Sequence, residues 1–242
     1  ALTGSLASHP GAYRQQMTLP PLPYRTWVEQ AERPDRILVI PLGSFEQHGP
    51  HLPMATDTII ATTVANDAAL AVECDVAPAL PFGASGEHQG FAGLLSIGTS
   101  VTHDVIIELL RSARFTWKGV VLVSGHGGNV HALQDALALA RFEGSTVHLW
   151  LPRDPNGDAH AGKSETSFMM TLPDNYIRPI EVPAVELEST ELAQVWREGI
   201  MGVSPSGVLG TPGAATAEYG WELRRRWCSE IVELIQSIQG ES

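Results

Sequence analysis

Four short polar segments carry most of the chemical potential of this 242-residue chain. In the first, Glu46-Gln-His48 sets a carboxylate and an imidazole two residues apart, and Asp57 follows nine residues after His48. Residues two apart on an extended backbone project to one side, so Glu46 and His48 can offer an oxygen and a nitrogen to one ion. Asp57 has two carboxylate oxygens and can bridge two ions. In the second, Ser124-Gly-His126-Gly-Gly-Asn129, the glycines let the backbone approach a ligand closely. His126 would stand at the mouth of that turn and Asn129 could pin it. A phosphate cradle competes, but the Lys-Ser/Thr of a P-loop is missing. In the third, His160 and Glu165 lie five residues apart within Asp158–Ser167. Glu165 could equally be a capping carboxylate in a first helical turn. The fourth, Gly83–Gly93, reads as a loop approaching a site, with Glu87 and His88 as candidate substrate contacts. His131 reads as a surface or supporting residue.

Each segment alone has a bland reading as a polar loop or a glycine-rich turn. Jointly, Glu46, His48, Asp57, His126 and Glu165 offer three carboxylates and two imidazoles. That mixture suits Zn, Fe(II) or Mn and disfavours a soft thiolate site. It exceeds the roughly three protein ligands of one catalytic zinc, and two ions sharing Asp57 explain the surplus. Two ions about 3.5–4 Å apart can generate a hydroxide at neutral pH and polarise a carbonyl. The chemistry expected is metal-assisted hydrolysis; a purely structural metal site in an assembly protein is the non-enzymatic alternative.

The elements that must position these groups alternate between strands and helices, which favours an α/β sandwich with a largely parallel sheet. Strands are expected over 36–42, 75–80 (interrupted by Pro78), 94–98, 119–124 and 145–151. Helices are expected over 57–71, 102–114 (with Ser100 or Thr102 as N-cap), 131–142, 163–172, near 190–198, and 221–239. Glu46 and His126 then follow the ends of apolar strands, where open α/β sheets bind ligands. Residues 1–24 read as an extended N-terminal arm and 25–242 as a single domain.

Composition sets the outer bounds. The chain has 15 Lys plus Arg against 27 Asp plus Glu, a formal net charge of -12, and 43% hydrophobic residues. That is enough apolar content for one sizeable core and too much for disorder. The acidity opposes nucleic-acid binding, which needs a basic stripe. No run is long enough to span a membrane, and no export signal is legible, so the expected location is the cytoplasm. Cys74 and Cys228 are then expected to be reduced, buried thiols.

The segments Glu46-Gln-His48-Gly-Pro-His51-Leu-Pro, Asp57-Thr, Gly125-His126-Gly-Gly-Asn129 and His160-Ala-Gly-x-x-Glu165-Thr-Ser167 resemble the creatininase family of dinuclear metal amidohydrolases. The resemblance runs from about Ile37 to Gly220. It implies a three-layer α/β/α sandwich, a homo-oligomer, two divalent metal ions, and ligands at Glu46, His48, Asp57 and His126, with Asp57 bridging. The family pattern has a Glu two residues after the second-segment histidine, where this chain has Gly128. The resemblance therefore implies that Glu165 supplies the missing carboxylate. Glu46, Asp57 and His126 would hold one ion, and His48, Asp57 and Glu165 the other. It also makes creatinine itself a less favoured substrate.

Within the family, Gly83–Gly93, Ser96–Thr99, Asp158–Gly162 and Val203–Gly210 are most similar to a branch of peptidases that remove a C-terminal Val-Tyr dipeptide from a modified precursor peptide. Hydrolysis of creatinine or another small amide is the alternative. His160 is the candidate to protonate the leaving amine, and Glu165 is counted with both the ligands and the catalytic groups.

Overall fold

The computed structural model describes residues 20–173, 176–185 and 189–240. Four strands, β1 (Ile37–Leu42), β2 (Asp75–Val76), β3 (Gly119–Ser124) and β4 (Val147–Trp150), form one sheet in the order β2-β1-β3-β4. Every pairing is parallel. Among the described residues seven α-helices accompany it: α1 (Trp27–Ala31), α2 (Thr56–Ala71), α3 (Gly98–Ala113), α4 (Val130–Phe142), α5 (Lys163–Met169), α6 (Ser189–Val203) and α7 (Ala217–Gly240).

The side-chain period of two divides each central strand between two cores. Ile37, Val39, Val121 and Val123 face α2 and α7, packing with Ile60, Val64, Leu223, Trp227 and Ile231. Leu38, Ile40, Val120 and Leu122 face α3 and α4, packing with Ile106, Leu110, Leu133 and Leu137. The result is the three-layer α/β/α sandwich. Because both faces are covered, β1 and β3 are buried at every residue, which is why they read as unbroken apolar runs.

Several boundaries differ from expectation. Leu94–Gly98 is not a strand. Gly93 and Gly98 take positive φ values of 87° and 76° at its two ends, so the chain turns at both. Between them Leu95 is 54% exposed. Its N–H donates to Phe45 O, and that of Ile97 to Gly83 O, so the run braces the loops around the site instead of extending the sheet. Helix α3 begins at Gly98, which leaves Ser100 and Thr102 inside it and not at its cap. The strand expected over 75–80 shrinks to two residues plus an isolated bridge at Leu80, because Pro78 has no N–H to donate. Helix α7 starts four residues earlier than expected. Helix α6 runs on to Val203 across a kink at Gly199, where φ is 72°. The arm expected over 1–24 lies mostly outside the described residues; within it, Leu22–Tyr24 form a 3-10 turn and Leu22 packs on the α3/α4 core. Cys74 is buried and Cys228 half-buried, and both are free. Among the described residues no helix is long and apolar enough to cross a membrane.

The chain entering β1 is anchored by one buried carboxylate. Asp75 accepts hydrogen bonds from Arg25 Nη1 (2.7 Å), Gln30 Nε2 (2.9 Å), Arg36 Nε (3.0 Å) and Trp117 Nε1 (2.9 Å). Burial alone would raise its pKa, but these donors and the arginine charges hold it below the ordinary value. Asp75→Asn is expected to cost about 3 kcal/mol at pH 7, because the Arg25 guanidinium loses its counter-charge and that of Arg36 keeps only Glu73. A depressed folded-state pKa gives stability that is complete above the unfolded value of about 3.9 and is lost as pH falls through the folded one. Urea denaturation should therefore show the variant's deficit at pH 7 and its shrinkage at pH 3.

Candidate metal centre

The site forms where β1 and β3, adjacent and in register, release their chains at the same edge of the sheet. The loop after β1 delivers Glu46 and His48, the first turn of α2 delivers Asp57, and the turn after β3 delivers His126. Gly125 allows this convergence: a Cβ there would overlap the backbone carbonyl of Asp57. Asn129 ties the loops together, donating from Nδ2 to Gly43 O (3.1 Å) while its Oδ1 accepts the N–H of Ala84 (2.9 Å). It pins its own turn, as expected, and two further loops as well.

Asp57 lies between two imidazoles. Its Oδ1 is 3.0 Å from His48 Nε2 and its Oδ2 is 3.3 Å from His126 Nδ1. Glu46 Oε1 is 3.1 Å from His126 Nδ1, and Glu165 Oε1 is 3.9 Å from His48 Nε2. The five residues singled out as ligands are thus brought together around Asp57.

The ring nitrogens facing away from the carboxylates are already committed. His48 Nδ1 lies 3.2 Å from Glu46 O, His126 Nε2 lies 3.1 Å from Ala84 O, and His160 Nε2 lies 2.8 Å from Gln47 O. A carbonyl only accepts, so each of these nitrogens carries the proton. A neutral ring therefore presents its other lone pair to the carboxylates: His48 and His126 to Asp57, His126 also to Glu46. Lone pairs meeting anions at 3.0–3.3 Å require positive charge between them. Both oxygens of Glu46 and Oδ2 of Asp57 are buried with no aligned hydrogen-bond donor. Among the described residues three donor triads, Glu46/His48/Asp57, His48/His160/Glu165 and Glu46/His88/His160, have ligand atoms within 4.8 Å of one another. A backbone-anchored ring N–H is the usual support of a metal-ligating histidine. The donor set fits divalent cations.

Without a cation, protons take on that task. Burial would lower the pKa of His48, but Asp57, Glu165 and Glu46 raise it to about 10. Burial also opposes a charge on His126, yet Glu46 and Asp57 hold its pKa well above the ordinary value. Glu46 is held well below the carboxylate range by His126 and His88 despite its burial. Glu165 is pushed up to about 7, chiefly by burial. His160 is held well below the usual value by burial and by the charges of His48 and His88.

His88 and Gln47 take places that residue type and spacing alone do not give. His88, expected at the substrate, is 1% exposed, its Nε2 3.0 Å from Glu46 Oε1 and its Nδ1 3.1 Å from Gln47 Nε2. It borders the cavity, but its nitrogens face the protein. Gln47 escaped notice altogether. Its Nε2 reaches His88, His160 and Gly207 O, at 3.1, 3.2 and 2.9 Å. The signal was its place between Glu46 and His48, on the opposite side of the chain. Glu87 keeps a place on the cavity wall, 3.3 Å from His126 Nε2. His131 is exposed on α4. The cavity above the cluster, about 150 Å³, is lined by His126, His160, Glu165 and Glu87 and closed by Val195 and Ile200 of α6.

The fold is a parallel-sheet sandwich with a carboxylate–imidazole cluster at its strand ends. Residues 23–235 match the family model described as creatininase, creatinine amidohydrolase. The chain is 44% identical over 214 residues to the mycofactocin precursor peptide peptidase of Mycobacterium tuberculosis, covering 83% of this chain and 84% of that one. It is 43% identical over 193 residues to the protein of the same name from Mycolicibacterium smegmatis, covering 76% and 78%. A crystal structure of creatinine amidohydrolase superposes with a TM-score of 0.72 at 22% identity, covering 91% of this chain and 98% of that one. The chain belongs to the creatininase family.

Chelator-stripped protein is expected to gain stability when a divalent metal is restored. At about 100-fold excess over Kd, one site contributes about 2.7 kcal/mol, or roughly 5–10 °C in Tm for a domain of this size. Asp57→Asn, which removes the carboxylate charge and one of its two oxygen donors, should remove most of that gain in a thermal-shift titration with Zn.

Proposed function

We propose that this chain is a dinuclear-metal peptidase that removes the C-terminal Val-Tyr dipeptide from the modified precursor peptide of mycofactocin. The observation that carries the hydrolase reading is the position of Asp57, with one oxygen toward His48 and the other toward His126. The substrate class is supported by the similarity to the mycobacterial peptidases. Glu46, Asp57 and His126 would hold one divalent ion, and His48, Asp57 and Glu165 the other; Zn, Fe and Mn all suit these donors. When bound, the ions would supply Lewis-acid polarisation of the scissile carbonyl and activation of water. A homo-oligomer is part of the same reading.

The chain's own residues handle the proton. Hydrolysis joins the water oxygen to the carbonyl carbon, breaks the C–N bond and leaves an amine that needs a proton. His160 donates from Nε2 to Gln47 O, which leaves Nδ1 free, 3.8 Å from Glu46 Oε1. With Nε2 protonated, Nδ1 of the neutral ring can take the proton shed by water and pass it to the leaving nitrogen. Glu165 is held in place by the Ala161 N–H, 2.6 Å from its Oε2, with the other oxygen free to face His48. Val195 and Ile200 add apolar surface to the cavity wall.

Mass spectrometry after incubation with the modified precursor should show loss of the C-terminal dipeptide and no turnover of creatinine. Creatinine hydrolysis without peptide cleavage would replace this reading with that of a small-molecule amidohydrolase. His160→Ala should lower turnover by about 10²–10⁴-fold at unchanged metal content, whereas His126→Ala should lose metal and activity together.

A further inference from the structure

Glu87 sits in a 3-10 turn, Gly86–His88, that overhangs the cluster. Its side chain is only 11% exposed. Oε1 lies 3.3 Å from His126 Nε2 and 4.0 Å from His88 Nε2. Since His126 Nδ1 faces Glu46 and Asp57, Nε2 is the protonated nitrogen, and its acceptors are Ala84 O and Glu87 Oε1. Both come from the loop that Asn129 ties to the turn after β3.

Two glycines keep this carboxylate where it is. A Cβ on Gly128 would overlap Glu87 Oε1 and His126 Nε2 together, so the space beside His126 is open to Glu87 only because residue 128 has no side chain. On the other side, α6 kinks at Gly199, and a Cβ there would come within 3.2 Å of Glu87 O. The turn is thus clasped between the β3 turn and α6.

We infer that Glu87 is a positioning residue: its carboxylate, beside the Ala84 carbonyl, fixes the tautomer and ring orientation of His126 and strengthens Nδ1 as a metal ligand. This moves Glu87 from reading substrate to supporting the metal centre. It rests on the metal-binding part of the reading above and not on the choice of substrate. A carboxylate does more here than the carbonyl alone, because its charge stabilises positive charge on the imidazole as Nδ1 donates to a cation.

The test is Zn affinity measured in the absence of any peptide, by competition with a chromogenic chelator. It compares wild type, Glu87→Gln and Gly128→Ala. Glu87→Gln preserves shape and removes charge, and is the deciding variant; Gly128→Ala preserves Glu87 but crowds its carboxylate and the His126 ring together. Both are expected to weaken one of the two ions by about 10–100-fold, to leave the other nearer wild type, and to shift the absorption spectrum of the Co(II)-substituted protein. Wild-type Zn affinity and an unchanged Co(II) spectrum in Glu87→Gln would overturn the inference, as would a raised KM for peptide as its only defect. If the wild type binds Zn at two sites but cleaves no peptide, the substrate reading fails while this inference is still decided by the affinities. If the wild type binds no metal, both fall.

Discussion

Two carboxylates, Glu46 and Asp57, are buried with oxygens that accept no aligned hydrogen bond, and the arrangement around them answers that fact. An isolated buried charge costs many kcal/mol unless it is paired. Here the partners are imidazoles whose protons are already directed at backbone carbonyls. The cluster is therefore stable only with added positive charge: protons on His48 and His126, or divalent cations in their place. Cations satisfy the geometry better, since they accept lone pairs from nitrogen and oxygen alike. The net charge of -12 correspondingly overstates the charge of a loaded molecule.

That demand explains features of the scaffold that packing alone does not. β1 and β3 are neighbours and end together, so two loops emerge side by side at the open end of the sheet. Gly125 lets one loop rest against the first turn of α2, and Asn129 couples three loops through a single amide. The support continues outward through Gln47, whose amide donates to His88 and to Gly207 O and whose backbone carbonyl accepts from His160. None of these groups need touch a substrate; each restricts the freedom of one that would.

Much of this was legible in residue types and spacing. The unbroken apolar runs of β1 and β3, the helical periodicity of α2 and α4, and the set Glu46, His48, Asp57, His126 and Glu165 are local features or follow from strand-end placement. What could not be read depends on contacts distant in sequence. Leu94–Gly98 has strand-like residues, but glycines at both ends and a hydrogen bond to Phe45 make it a brace. His88 looks like a loop residue until Gln47, 41 positions away, draws it inward. Gly128 reads as a lost carboxylate; in three dimensions it makes room for Glu87, from another loop.

The central claim is that buried carboxylates on both sides of Asp57 are balanced by two cations. It is tested most directly by a crystal structure of the metal-loaded protein with anomalous data collected at the metal edges. Two anomalous peaks flanking Asp57, one beside His126 and Glu46 and the other beside His48 and Glu165, are the expected result. A single peak, or peaks away from Asp57 in fully loaded crystals, would contradict it.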